Sequence, residues 1–281
     1  RPEPDHIYVV APDTRLHLDN GVLRAEKRSK GRWLPIDHFF YSLAATQKSA
    51  AVGIVLSGAD SDGALGLKRI KGEGGISIVQ DEASAQFGAM PRAAIDADHV
   101  DMVLPPARIA AELAHLAQRF RSGRFEQVLD TVLDQEDHEK KAWSRIYSLL
   151  RTVGGIDFSQ YKPTTVRRRV ARRIVLQKAE TTRDYAEFLE ANPTEIRHLH
   201  EDILINVTRF FRDTAFFEAL QSRVYPQLVK DRAAEVPIRI WVPGCSTGEE
   251  AYSLAISLLE YTSTLPSFEP LLQIFGTDVS E

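Results

Sequence analysis

The stretch Val242-Pro-Gly-Cys-Ser-Thr-Gly-Glu-Glu250 joins an apolar run, Ile238–Val242, to a helical pattern over Glu249–Glu260. A glycine-rich turn between strand and helix lets a ligand approach the backbone closely. Asp278 follows the next strand-like run, Leu271–Phe275. An acid at that position can accept both hydroxyls of a ribose. The turn is not a Walker A loop, since no Gly-Lys-Ser/Thr ends it, and it is not Gly-x-Gly-x-x-Gly. Glu249 and Glu250 stand where a phosphate would bind and would repel one. The chemistry favoured is a phosphate-free, cationic cofactor such as S-adenosyl-L-methionine. The competing reading is two glutamates that simply complement the helix macrodipole.

Three further groups of residues could carry chemistry. In Asn206-Val-Thr-Arg-Phe-Phe-Arg212, polar Asn206, Thr208 and Arg212 flank an aromatic pair. Local reasoning favours a helix end there, with Thr208 or Asp213 capping the next helix. Lys162–Lys178 holds five arginines and no acid, with Val166, Val170 and Ile174 spaced as a buried stripe. Such a helix reads as an anion-binding surface, against the alternative of a solvated face. Its target could be an acidic protein helix or nucleic acid, but no aromatic interleaving or base-reading motif supports nucleic acid. Gly58-Ala-Asp-Ser-Asp-Gly63 follows the apolar run Ala51–Leu56. A carboxylate at such a strand end suits catalysis, and an Asp- and Gly-rich turn explains it equally well. The acidic ladder is too short for an EF-hand, none of the eight histidines offers an obvious partner, and no metal site is expected.

These residues need elements to position them. Strand–helix alternation from about Ala50 to Gln118 implies a parallel sheet. Ile7–Val10 reads as a strand, and Leu16–Arg32, with Asn20-Gly21, as a hairpin. The charge run Asp134–Lys141 marks a boundary. Helical spacing recurs over 163–178, 182–191, 194–205 and 213–230. A strand–helix–strand unit closes the chain. The fold class expected is therefore α/β plus all-α. Its parts are a parallel α/β sheet over 1–120, a polar linker over 121–143, a helical subdomain over 144–231, and the start of a Rossmann-like sheet over 232–281.

The composition is that of a globular chain: 281 residues, 43% hydrophobic, 26% charged and net charge −4. One cysteine, Cys245, forbids an intrachain disulfide and makes a reducing, cytoplasmic location the default. No apolar stretch approaches the ~20 residues of a membrane span. With Arg1 first and Glu281 just past a strand-like run, the chain reads as part of something larger.

Taken together, these segments resemble two bacterial chemotaxis enzymes in one chain. Ile7–Pro12, Val55–Gly63, Val79–Ala83 and Gly88–Ala94 are similar to the second half of a CheB-type receptor methylesterase. Asp157–Lys162, the arginine helix, Asn206–Arg212 and Ser246–Ser253 are similar to the first half of a CheR-type receptor methyltransferase. The resemblance implies that Asp62 is the aspartate of a Ser-His-Asp triad whose serine and histidine lie upstream. It implies that Asn206, Thr208, Arg212, Glu250 and Asp278 contact S-adenosyl-L-methionine, with S-adenosyl-L-homocysteine as product. It implies that Arg169, Arg172 and Arg173 meet the cytoplasmic helices of chemoreceptors, where glutamates are methylated, without nucleic acid or membrane insertion. A catalytically incomplete receptor-binding scaffold is the alternative.

Overall fold

Asn20 and Gly21 set the first element. Both adopt positive φ, 46° and 73°, which gives a two-residue turn of the kind that matches strand twist. It joins strand β1 (Thr14–Asp19) to antiparallel β2 (Val22–Lys27), with Asp19 opposite Val22. Helix α1 (Pro35–Gln47) starts on a proline, whose missing N–H costs nothing there. The computed structural model describes all residues except 29–32, 98–99, 123–127, 129–131, 133–138, 206–207, 231, 233–235, 266–270 and 280–281. The chain falls into two compact units, Arg1–Ile205 and Asn206–Glu281.

In the first unit, β3 (Val52–Val55), β4 (Ile76–Gln80) and β5 (Met102–Leu104) form a parallel sheet in that order. Helices α2 (Ala64–Gly72) and α3 (Ala89–Asp96) make the crossovers, and α4 (Pro106–Arg121) follows β5. Every residue of β4 is buried, as expected of a parallel strand covered on both faces. One apolar cluster joins Val55 and Val79 to Phe40, Leu67 and Ile70. Another joins Ile76, Ile78, Ile109 and Leu116 to the helical part that follows. That part comprises α5 (Lys140–Gly154), α6 (Pro163–Leu176), α7 (Thr182–Ala191) and α8 (Pro193–Leu204). Val166, Val170 and Ile174 are fully buried, as their spacing implied. Val128 and Val132, within the stretch read as a polar linker, are also buried in this cluster. The charge run at 134–138 lies outside the described residues. Ile7–Val10 forms no strand: all four residues are exposed, with no pairing partner among the described residues.

The second unit holds α9 (Thr214–Ala219), a π-type turn at Leu220–Val224, α10 (Tyr225–Val229), β6 (Ile238–Pro243), α11 (Glu249–Ser263) and β7 (Leu272–Thr277). The single helix read over 213–230 is interrupted just ahead of Pro226, which has no N–H to continue the ladder. Strands β6 and β7 pair in parallel, Val242 opposite Gly276. Among the described residues, no helix is long and apolar enough to cross a membrane.

The arginine helix α6 corrects the sequence reading. Its arginines have no acid within the helix, but they find partners elsewhere in the first unit. Arg169 donates to the carbonyls of Lys71 and Gly72 at 2.8 and 2.7 Å, and Arg172 Nε to that of Gly75 at 2.8 Å. The Lys71 and Gly72 carbonyls lie at the C-terminus of α2, where the dipole end is negative, and Gly75 lies in the turn that leads to β4. Arg172 also pairs with Asp101 and Asp202, and Arg173 with Glu195. Lys71 Nζ lies 3.0 Å from Asp202 and 3.6 Å from Asp101. Arg172 and Arg173 are only 2% and 4% exposed. Burial and the neighbouring Arg172 charge pull Arg169 down to about 10. The three residues expected to face a receptor therefore hold the sheet to the helical layer, because buried carboxylates and helix-end carbonyls need them there.

Burial alone would raise the Asp202 carboxylate, but Arg172, Lys71 and Arg173 overcome this and hold it at about 2, against an ordinary 3.8. With the folded value below the unfolded one, the ionised form contributes stability fully above about pH 4 and loses it as pH falls towards 2. Asp202→Asn is expected to lose roughly 3–5 kcal/mol at pH 7 and to show a flatter acid limb. Urea unfolding at pH 7, 4 and 2.5 measures both; wild-type stability at pH 7 would contradict the ion cluster.

Candidate functional site

The glycine-rich turn is built by two strands and a helix of the second unit. Gly244, Ser246 and Gly248 have φ of 68°, 52° and 95°, so the chain reverses sharply between β6 and α11. Gly244 N and Cys245 N donate to Thr277 O at 2.7 and 3.1 Å, fastening the turn to the end of β7. Ser246 N donates to Asp278 Oδ2 at 2.7 Å. The sequence places Asp278 32 residues from Ser246, and the parallel register brings the two into contact. Cys245 is half-buried against Gly276, where an added Cβ would stand 3.0 Å from its sulfur. An added side chain at Gly276 would therefore crowd the Cys245 sulfur.

Several features of the turn suit a cofactor with polar hydroxyls and positive charge. Ser246 Oγ is buried without a hydrogen-bond partner among the described residues. Among the described residues, nothing stands within 4 Å of the position a Gly244 Cβ would take. Glu249 and the exposed Glu250 occupy the first turn of α11, where they oppose phosphate and complement a cation. Thr247 Oγ1 donates to Glu249, fixing that carboxylate beside the turn.

The segment before α9 is drawn to the same helix. Phe211 N donates to Ser253 Oγ at 2.9 Å, and Ser253 Oγ donates back to Glu249 O at 2.6 Å. Phe211 adopts a φ of 49°, an uncommon conformation for an aromatic residue. Its ring packs edge-on against Phe217, with centroids 5.1 Å apart. Arg212 is exposed beside this anchor, and Arg209 donates to its carbonyl at 3.0 Å. Thr208 is half-buried, and Asn206 lies outside the described residues. Asp213 occupies the N-cap position of α9 but makes no capping bond through its side chain. Sequence reasoning placed Tyr252 and Ser253 in the Ser246–Ser253 segment but gave neither a role. Ser253 ties the aromatic segment to α11, and the Tyr252 ring lies 3.2 Å from where a Gly248 Cβ would be. Their i, i+4 spacing from Glu249 and Gly248 was the available signal.

In the first unit, Asp62 is 3% exposed after β3. Its two oxygens accept from Ile36 N and Asp37 N, each at 2.9 Å. Asp37 returns the favour at α2, accepting from Gly63 N at 3.0 Å and Gly66 N at 2.7 Å. Two buried carboxylates therefore cap each other's helices. The loop is pinned further by Gly58 N to Phe87 O at 2.9 Å and Met90 N to Gly58 O at 3.1 Å. The Met90 thioether covers Gly58 so closely that an added Cβ would stand 2.0 Å from its sulfur.

Three further side chains of the first unit come together. His17 on β1, Glu26 on β2 and His38 on α1 converge, each offering a ligand atom within 4.8 Å of the others. They lie 9 and 12 residues apart in sequence, a spacing without a metal-motif signature. Only the hairpin register and the packing of α1 bring them together.

Family models match successive parts of the chain. CheB methylesterase matches residues 1–113, the CheR methyltransferase all-alpha domain 141–204, and the CheR methyltransferase SAM binding domain 206–281. An uncharacterized 104.1 kDa protein of Rhodobacter capsulatus, from the hypE 3' region, is 36% identical over 98% of this chain and 31% of its own length. A protein-glutamate methylesterase/protein-glutamine glutaminase of Geobacter sulfurreducens is 44% identical over 29% of this chain and 22% of its own length. Chemotaxis protein methyltransferase 2 of Pseudomonas aeruginosa is 32% identical over 52% of this chain and 50% of its own length. The chain thus spans half or less of each of these three relatives. Along the chain, residues 1–113 are thus similar to CheB methylesterase, and residues 141–204 and 206–281 to the two domains of CheR methyltransferase.

Proposed function

We propose that this chain serves a protein-glutamate O-methyltransferase that methylates chemoreceptor glutamates, fused to a protein-glutamate methylesterase that hydrolyses the esters. The observation that carries the methyltransferase part is the contact of Ser246 N with Asp278 Oδ2 across an open glycine turn headed by two glutamates. S-adenosyl-L-methionine, when bound, supplies an electrophilic sulfonium methyl. Asp278 would hold the ribose hydroxyls, and Ser246 Oγ would take a further polar group. Glu250 would favour the positive charge. Thr208 and Arg212, held near α11 by the Phe211–Ser253 bond, would flank the reacting end; Asn206 is a further candidate for cofactor contact. A carboxylate attacking a sulfonium methyl expels a neutral thioether, so little acid–base help is needed. Alignment and exclusion of water are what these residues would provide.

For the esterase, Asp62 would orient and stabilise the triad histidine. Each Asp62 oxygen accepts one backbone N–H, and a carboxylate has about four acceptor sites, so capacity for an imidazole N–H remains. The partners are the cytoplasmic helices of chemoreceptors, a reading supported by both families. It does not rest on Arg169, Arg172 and Arg173, which are engaged inside the first unit.

Titrating the full-length protein with S-adenosyl-L-homocysteine by calorimetry should show binding that Asp278→Ala weakens at least about tenfold, or ~1.4 kcal/mol. Absent binding, or an Asp278→Ala isotherm like wild type, would refute the cofactor site. In a receptor demethylation assay, Asp62→Asn should lower kcat by roughly 10³–10⁴-fold with its circular dichroism unchanged. Turnover within about tenfold of wild type would exclude Asp62 from a triad.

A further inference from the structure

We propose that His17, Glu26 and His38 bind a divalent transition-metal cation of the zinc class. Glu26 pairs across the hairpin with Arg15, and His17 lies two residues along β1, so His17 and Glu26 share one face as diagonal neighbours. His38 approaches from α1, which packs on β1. His17 Nδ1 lies 3.6 Å from Glu26 Oε1. The two imidazoles meet edge-on, with centroids 5.9 Å apart and planes at 83°. His17 Nδ1 and His38 Nε2 are both buried with no hydrogen-bond partner among the described residues. Two such nitrogens beside a carboxylate oxygen form a ready donor set.

The surroundings complete the argument. Glu26 Oε2 is held by Arg15, from Nε at 3.0 Å and from a terminal nitrogen at 2.8 Å. One oxygen is thereby fixed by a hydrogen-bonding partner while the other faces His17, the arrangement that orients ligating carboxylates in metal sites. Two imidazoles and one carboxylate suit zinc and leave a fourth position for water. Calcium and magnesium prefer all-oxygen sets. Bonds of about 2.0–2.2 Å require the three side chains to close in by roughly an ångström from their present spacing. The cation would clip the hairpin to α1, the helix whose first N–H groups hold Asp62.

Tag-free full-length protein should take up one equivalent of Co²⁺ with the visible absorption of a tetrahedral site, and Zn²⁺ should displace it. His17→Ala and His38→Ala should each weaken Zn²⁺ binding by more than the ~10-fold cost of losing a supporting contact. Glu26→Gln, at the rim of the hairpin, should weaken it in the same direction. His6→Ala, at an exposed site, should bind as wild type does. Wild-type protein that gives no tetrahedral Co²⁺ spectrum, or a His17→Ala/His38→Ala double variant that loads Zn²⁺ equally well, would overturn the proposal and leave an ordinary Arg15–Glu26 ion pair beside two neutral histidines.

Discussion

The first unit depends on where the charge of Arg172 goes. A guanidinium that is 2% exposed must be matched on every side, because an unpaired buried charge is among the costliest defects a fold can carry. Here Asp101, Asp202 and the Gly75 carbonyl surround it. Asp101 is itself fixed by Ser77, whose N and Oγ donate to it at 2.8 and 2.9 Å. Ser77 belongs to β4, Asp202 to α8 and Arg172 to α6. One charge thus requires the sheet and the helical layer to stay together.

Helix α2 shows how the same logic reaches the candidate esterase residue. Its C-terminal carbonyls take arginine donors from α6, and its N-terminal amides take the Asp37 carboxylate. Both ends of its dipole are complemented by side chains from other elements. Asp37 is in place because Asp62 holds the start of α1. The close approach of α1 and α2 needs Gly66, where an added Cβ would stand 2.5 Å from the Cβ of Phe40. Asp62 is therefore fixed both by what it caps and by a chain of contacts running back to the arginine cluster.

Much of this was legible in the sequence, for specific reasons. The alternation around Ala51–Leu104 and the Asn20-Gly21 turn are local signals, and local hydrogen bonding realises both. The glycine turn and Asp278 were readable because strand–turn–helix–strand order fixes which ends meet. The arginine helix was misread because its partners lie far off: Asp101 is 71 residues away, Asp202 30 and Glu195 22. Lack of an acid at i+4 says nothing about acids supplied by packing. Ile7–Val10 failed in the opposite way, since strand-like residues form no strand without a neighbour to pair with. The His17, Glu26 and His38 group was invisible for the same reason as the arginine pairs, because only tertiary packing creates it.

Native-state hydrogen exchange tests the central claim most directly, that the arginine cluster makes the sheet and the helical layer one cooperative body. Amides of β4 and of α8 should exchange with one shared opening free energy in wild type, and Arg172→Gln should lower both together. Unchanged protection of β4 while α8 alone loosens would show that the two layers are held by something other than these charges.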